Sequence, residues 1–444
     1  MKFFLLPGLV LGLLASGACV ANARPVSNQT ASFSQFDRRA RKGAPLNVVF
    51  FGASLTWGAN SSNPIETSYR ADTARKFEAA YPSAHFHFYD AAIGGTGSQL
   101  GVFRLRRDVF RHQPDLVFLD FSANDDIYGN DEETLSSYES LVRRLVTAGV
   151  PVVQVVFPFR WNVDKGASEL AKMKRRTAHL AIARAYDTGV GDAVELAINR
   201  VGSGQTTLDA LWPYDGIHPG DRGYELFSDA AFAGFQSAVN DKRVCQVPAR
   251  MLYAPTYMNP TRARISQLGA LPSGWSVSHP NLTSAYFDFL MSRWLDDEVV
   301  VSNRQTQTGA NGTTATEPQP LKLGFRGSMV MLFGECTLKS GKYRAYLDGQ
   351  LVTRQEGGKT LTEFDPGAFA RTINGNGHHV QVIAQGLNLG VEHTLEIEPL
   401  FDPAQEQELR FESVCVAGAS SPANENVWLN QSGPVSRQAV AARN

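Results

Sequence analysis

Apolar residues along the first half of the chain fall into short blocks at 48–51, 86–89, 116–121 and 152–157. Runs this apolar fit strands buried on both faces. The stretches between and after them, at 66–80, 99–111, 132–148, 169–185 and 221–239, carry apolar residues at helical spacing. A weaker strand is read at 185–188. Strands alternating with helices predict an α/β domain over 44–240, with a parallel sheet covered by helices on both faces.

The pattern changes after residue 240. Helical periodicity gives way to short strand candidates at 298–301, 329–333, 343–347, 380–383, 394–397 and 412–416. Asp348-Gly349, set between apolar residues, predicts a tight hairpin turn. Residues 241–418 are therefore expected to be a linker and an all-β sandwich. Residues 303–319, rich in Gln, Thr, Gly, Asn and Pro, are read as a solvated loop, and 419–444 as a flexible tail. No internal repeat is visible.

Lys2, an apolar run over 3–14 and Ala21-Asn22-Ala23 predict an export signal over 1–23. That run is too short for a stable membrane span, so the expected location is secreted or periplasmic. Lys and Arg (42) balance Asp and Glu (43), which disfavours a nucleic-acid partner. Cys19 would leave with the signal, leaving Cys245, Cys336 and Cys415. Export permits a disulfide. Cys336 and Cys415, both on strand-like segments, are the expected pair. Asn28, Asn60, Asn281, Asn311 and Asn430 head glycosylation sequons.

Four islands carry the chemistry: Gly52-Ala53-Ser54-Leu55, Gly94-Gly95, Asn124-Asp125 and Asp215-Gly216-Ile217-His218. Ser54 directly follows the first strand. In an open parallel sheet, ligands bind beyond the carboxyl ends of the strands. A glycine after the second strand leaves a backbone N–H unobstructed, and the Asn124 amide is a neutral donor after the third. Asp215 and His218 are spaced for a carboxylate to orient an imidazole, whose other nitrogen then faces a serine. Each island alone has a plainer reading, as a turn serine, a strand-to-helix turn, an Asx turn or a helix cap. Thr56 excludes the Gly-x-Ser-x-Gly elbow of the α/β-hydrolases.

Taken in order, these islands resemble the SGNH hydrolases, the GDSL-type esterases and lipases, over roughly residues 46–240. The resemblance implies a flavodoxin-like three-layer α/β/α sandwich. It also implies Ser54 as nucleophile, His218 as base, Asp215 as its acid partner, and an oxyanion hole from Ser54, Gly95 and Asn124. It needs no metal or cofactor. Ala53 stands where the family usually has Asp, and Ser122 where it usually has Gly. The first departure leaves open what supports the serine loop.

Other clusters are read more plainly. His85 and His87 are a strand pair with no third metal ligand in view, and His378-His379 a solvated turn. Arg104, Arg106 and Arg107 are a solvated helix face by default. Trp57, Trp161, Trp212 and Tyr214 form either a sugar-stacking platform or core. The expected function is a secreted serine esterase, a carbohydrate acetyl esterase by preference, acting on an acylated small molecule or polysaccharide. A lipase or lysophospholipase is the alternative, and a non-catalytic carbohydrate-binding protein the alternative of another class. The sequence leaves the oligomeric state open.

Overall fold

A computed structural model describes residues 30–283, 288–304, 306–309, 312–315, 318–418 and 426–429. The expected export signal, Cys19 and the sequons at Asn28, Asn311 and Asn430 lie outside the described residues.

Strands β1 (Pro45–Gly52), β2 (His85–Ala92), β3 (Leu116–Leu119), β4 (Val152–Val156) and β5 (Gly189–Asp192) form one sheet in the order β2-β1-β3-β4-β5. Every pairing is parallel. This is the flavodoxin-type order. Central β1, β3 and β4 are covered on both faces, which is why they read as continuous apolar runs. Edge strand β2 instead alternates, with exposed His85 and His87 and half-buried Phe86 and Phe88.

The anticipated helices are Tyr69–Ala80, Ser98–Asp108, Glu132–Thr147, Lys174–Tyr186 and Asp221–Asn240. The Ser68 and Asp131 side chains cap two of them, accepting from Ala71 N and Thr134 N. In the last helix Tyr224, Phe227, Ala231, Phe235 and Ala238 form the buried stripe. The fifth strand lies at Gly189–Asp192 rather than 185–188, because the preceding helix runs on to Tyr186. This strand carries Val190 as its one large apolar residue, too little to register as an apolar run. Helices Phe33–Arg41 and Ala193–Gly202 were not anticipated.

Among the described residues, the C-terminal region is built of antiparallel strands with one short α-helix, Gly367–Ile373, and three single 3-10 turns. A five-stranded and a six-stranded sheet enclose a second core. The Asp348-Gly349 turn is present. Leu347 pairs with Gln350, and both turn residues have positive φ, 51° and 79°. Two loop expectations are corrected. Thr306–Gly309 pairs with Gly312–Ala315 inside the supposed loop. Val427–Leu429, placed in the expected tail, adds to the strand Leu321–Arg326.

The strand Met329–Cys336 explains how the two regions hold together. Val330 and Leu332 point into the sandwich core, while Met329, Met331 and Phe333 on its other face join the core of the α/β region. A sheet buried on both faces loses the usual alternation.

The expected disulfide is absent: Cys245, Cys336 and Cys415 are free and buried. Met331 is the residue opposite Cys415, whereas Cys336 lies opposite Gly377. Five strand positions separate the two cysteines' levels, roughly 17 Å at the usual rise, far beyond the ~7 Å Cα limit for a disulfide. Among the described residues, no helix is long and apolar enough to cross a membrane.

Candidate active site

Ser54 opens a four-residue helix, Ser54–Trp57, at the carboxyl end of β1. His218 precedes the helix Asp221–Asn240 and reaches back over the sheet edge, so that its Nε2 lies 2.9 Å from Ser54 Oγ. Both residues are buried, at 7% and 6% exposure. Asp215 is more open, with its side chain 45% exposed. Its Oδ1 accepts from the Ile217 and His218 amides, each at 2.7 Å. Its Oδ2 faces His218 Nδ1 at 3.7 Å. The sequence reading did not find Asn60 here, whose Nδ2 donates to Asp215 Oδ2 at 2.7 Å.

Burial lowers the His218 pKa from its ordinary value, and the Asp215 charge opposes that shift. That shift favours the neutral imidazole, the form a general base needs. Burial alone would raise Asp215, but amide donors from His218, Ile217 and Asn60 outweigh it and hold the carboxyl below its usual range.

Gly95 and Asn124 follow the ends of β2 and β3, the two strands flanking β1. Gly52 is level with Ala92, and Phe51 with Leu119, so all three loops leave the sheet at one rim. Gly95 takes φ 72°, a conformation that favours glycine. Asn124 is half-buried, and its Oδ1 finds no hydrogen-bond partner among the described residues. The Asn124 loop is pinned from beneath. Asp120 Oδ1 accepts from Ser122 N and Oγ at 3.0 and 2.8 Å, and Ser122 Oγ accepts from Phe157 N at 2.9 Å. The Ser122 that replaces the usual glycine thus ties the end of β3 to the end of β4.

The support that Ala53 cannot give comes from two arginines. Arg104 is fully buried, not solvated as expected. Its guanidinium donates to Gly52 O at 2.8 Å and Ala91 O at 2.7 Å, lies 4.5 Å over the Phe51 ring, and pairs with Asp108 at 3.3 Å. Arg70 donates to Thr56 O and Trp57 O, at 2.6 and 2.7 Å, closing the C-terminal end of the Ser54 helix. A fixed, forked donor suits both tasks.

The β region closes the glycine side of this rim. Phe369 lies 3.9 Å from where a Gly95 side chain would begin. A cavity of about 260 Å³ is lined there by Gly94, Gly95, Thr96, Phe369, His378 and Gln381. Phe289 meets the Trp57 ring at 5.1 Å, and Arg293 pairs with Asp90 at 2.7 Å. His378 and His379 are buried rather than solvated. They sit on the strand Gly377–Gln385, at 3.0 Å from Met291 O and from Tyr343 Oη respectively.

The aromatic residues divide. Trp57 and Trp212 are core, whereas Trp161 is 47% and Tyr214 75% exposed. The Trp161 ring rests on Gly216, where an added Cβ would meet it at 3.2 Å, so a side chain there would have to push the ring aside by a few tenths of an ångström.

Residues 50–226 match the model of the GDSL-like Lipase/Acylhydrolase family. They form a GDSL-type ester hydrolase domain. Most of the chain also resembles solved two-domain structures. A two-domain esterase (CEX) active on acetylated mannans aligns over 87% of this chain and 95% of its own, at 21% identity and a TM-score of 0.63. The same esterase co-crystallized with mannopentaose aligns over 89% and 98%, at 20% identity and a TM-score of 0.65. At that identity the likeness establishes a shared fold, with the GDSL-type domain first and the β region after it. No curated protein matches the sequence. Among the described residues there is no group of three or more His, Cys, Asp or Glu side chains that could hold a metal ion.

Proposed function

We propose that the protein is an exported carbohydrate acetyl esterase working through a Ser54–His218–Asp215 acyl-enzyme mechanism. One observation carries the mechanism: an imidazole nitrogen stands 2.9 Å from a buried serine hydroxyl at the rim of the sheet. In this mechanism His218 takes the Ser54 proton as Oγ attacks the ester carbonyl. Asp215 stabilises the imidazolium that forms. The Ser54 and Gly95 amides and the Asn124 amide group receive the oxyanion. The tetrahedral intermediate collapses, His218 protonates the departing sugar oxygen, and Ser54 keeps the acetyl group. Water, deprotonated by His218, then attacks the acetyl-enzyme by the same steps and releases acetate.

Two observations support a carbohydrate substrate. The two-domain arrangement matches, nearly end to end, an esterase described as active on acetylated mannans. Beside the Asp215 loop stand two aromatic rings open to solvent, Trp161 by about half and Tyr214 by more, of the kind on which sugar faces stack. Export rests on the apolar run at 3–14 followed by Ala21-Asn22-Ala23.

The test is a substrate panel of acetylated mannan, acetylated xylan, p-nitrophenyl acetate and p-nitrophenyl octanoate, with Ser54→Ala as control. Acetate release from the polysaccharides, lost in the control, is the expected result. Preference for the octanoate with no acetate released from glycan would overturn the substrate class. Undiminished turnover in Ser54→Ala would overturn the mechanism.

A further inference from the structure

The segment that carries the nucleophile also reaches the acid. After the Ser54–Trp57 helix the chain turns, and Asn60 adopts the left-handed conformation, φ 67°. There its Nδ2 donates to Asp215 Oδ2 at 2.7 Å, the same oxygen that faces His218 Nδ1. The other oxygen, Oδ1, is already committed to two backbone amides. Asn60 is therefore the side chain that fixes Oδ2.

The turn is itself anchored. Tyr224 Oη donates to Ala59 O at 2.6 Å, and Asp221 accepts from Ser62 N at 2.7 Å and Ser62 Oγ at 2.6 Å. Both anchors lie in the first turn of the helix that follows His218. One loop and one helix start thus hold nucleophile, base and acid in a single frame. The sequence marked Asn60 only as the head of a sequon.

We propose that Asn60 is a positioning residue for the reaction, holding the Asp215 carboxylate so that Oδ2 stays turned toward the His218 ring. This rests on the Ser54–His218–Asp215 reading above. The need for such a group follows from exposure. A carboxylate 45% open to water is drawn toward solvent unless something holds it. A neutral amide does so without adding charge, whereas a carboxylate at position 60 would set two anions side by side. Asp215 is the charged group that acts on the His218 ring. The nearby charged groups are already engaged, Asp221 with Ser62 and Arg160 with Asp209 at 2.6 Å.

The test is the pH dependence of kcat/KM on p-nitrophenyl acetate for Asn60→Gly and Asn60→Asp. Glycine keeps the left-handed backbone and removes only the amide. The expected result for Asn60→Gly is a kcat about tenfold lower, as for one lost hydrogen bond to a charged group. KM should be unchanged and the acid limb displaced to lower pH, because Asp215 no longer favours imidazolium. Asn60→Asp should move the same limb upward, since it adds negative charge near the ring. A fold defect would scale the whole profile without displacing it. An acid limb of Asn60→Gly that coincides with the parent's would overturn the proposal, whatever happens to kcat and whatever the charge added in Asn60→Asp does. Failure of the triad itself would appear separately, as turnover surviving Ser54→Ala.

Discussion

His218 Nε2 lies 2.9 Å from Ser54 Oγ, although 164 positions separate the two residues. The contact is produced by the order of the sheet. β1 delivers Ser54 to the rim, and the chain passes through β5 before the loop ahead of the final helix brings His218 back to it. Ser54→Ala is expected to lower kcat by about four to six orders of magnitude while leaving the thermal unfolding curve near that of the parent. Active-site titration with an organophosphonate, which should label the parent and not the variant, checks the assignment directly.

Asn124→Ala should retain substrate binding and lose about 10²–10³ in kcat, the usual cost of one oxyanion donor. Ser122→Ala should show a smaller loss in the same direction. It removes the clip among Asp120, Ser122 and Phe157 that sets the Asn124 loop, but no donor to the oxyanion. Steady-state kinetics that show either loss mainly in KM would argue against these roles.

The pH profile should carry a signature of burial. The active form of His218 is neutral, and its pKa is lowered from the ordinary value. Activity should therefore persist as the pH falls through about 6.5, where a free histidine titrates, and fail only at lower pH. An acid limb of kcat/KM above 6.5 would contradict the burial that the structure gives this ring.

Arg104 ties Gly52 O to Ala91 O beneath the reacting groups, with Asp108 beside it. Arg104→Met would leave Asp108 with Arg107 as its remaining arginine partner, at 3.0 Å, and both buried carbonyls without this donor, a loss of about 1–3 kcal/mol in urea unfolding. Arg104→Lys should recover only part of the stability, because one ammonium cannot reproduce the fork. A full recovery would show that charge alone suffices.

Trp161→Ala should raise KM for acetylated mannan severalfold and leave p-nitrophenyl acetate turnover within about twofold, since a stacked aromatic pair contributes about 0.5–1.5 kcal/mol. Equal effects on both substrates would mean that the ring serves the Gly216 loop rather than a sugar.

The amino-acid order alone determined much of this protein. Strands β1 to β4 and five helices were legible because a segment buried on both faces, or along one stripe, must show it in local periodicity. Candidate residues of the site were legible too, because nucleophile, base, acid and donors each demand a particular side chain. Tertiary structure decided everything that depends on what packs against what. Arg104, His378 and His379 are polar by type, and only the surrounding sheets make them buried. Trp57 and Trp161 are the same residue, one enclosed and one open. Cys336 and Cys415 both sit on strands, but strand register puts them far apart. Asn60 reaches Asp215 through a left-handed turn that no periodicity records, since spacing along a chain says nothing of which distant loop will fold against it.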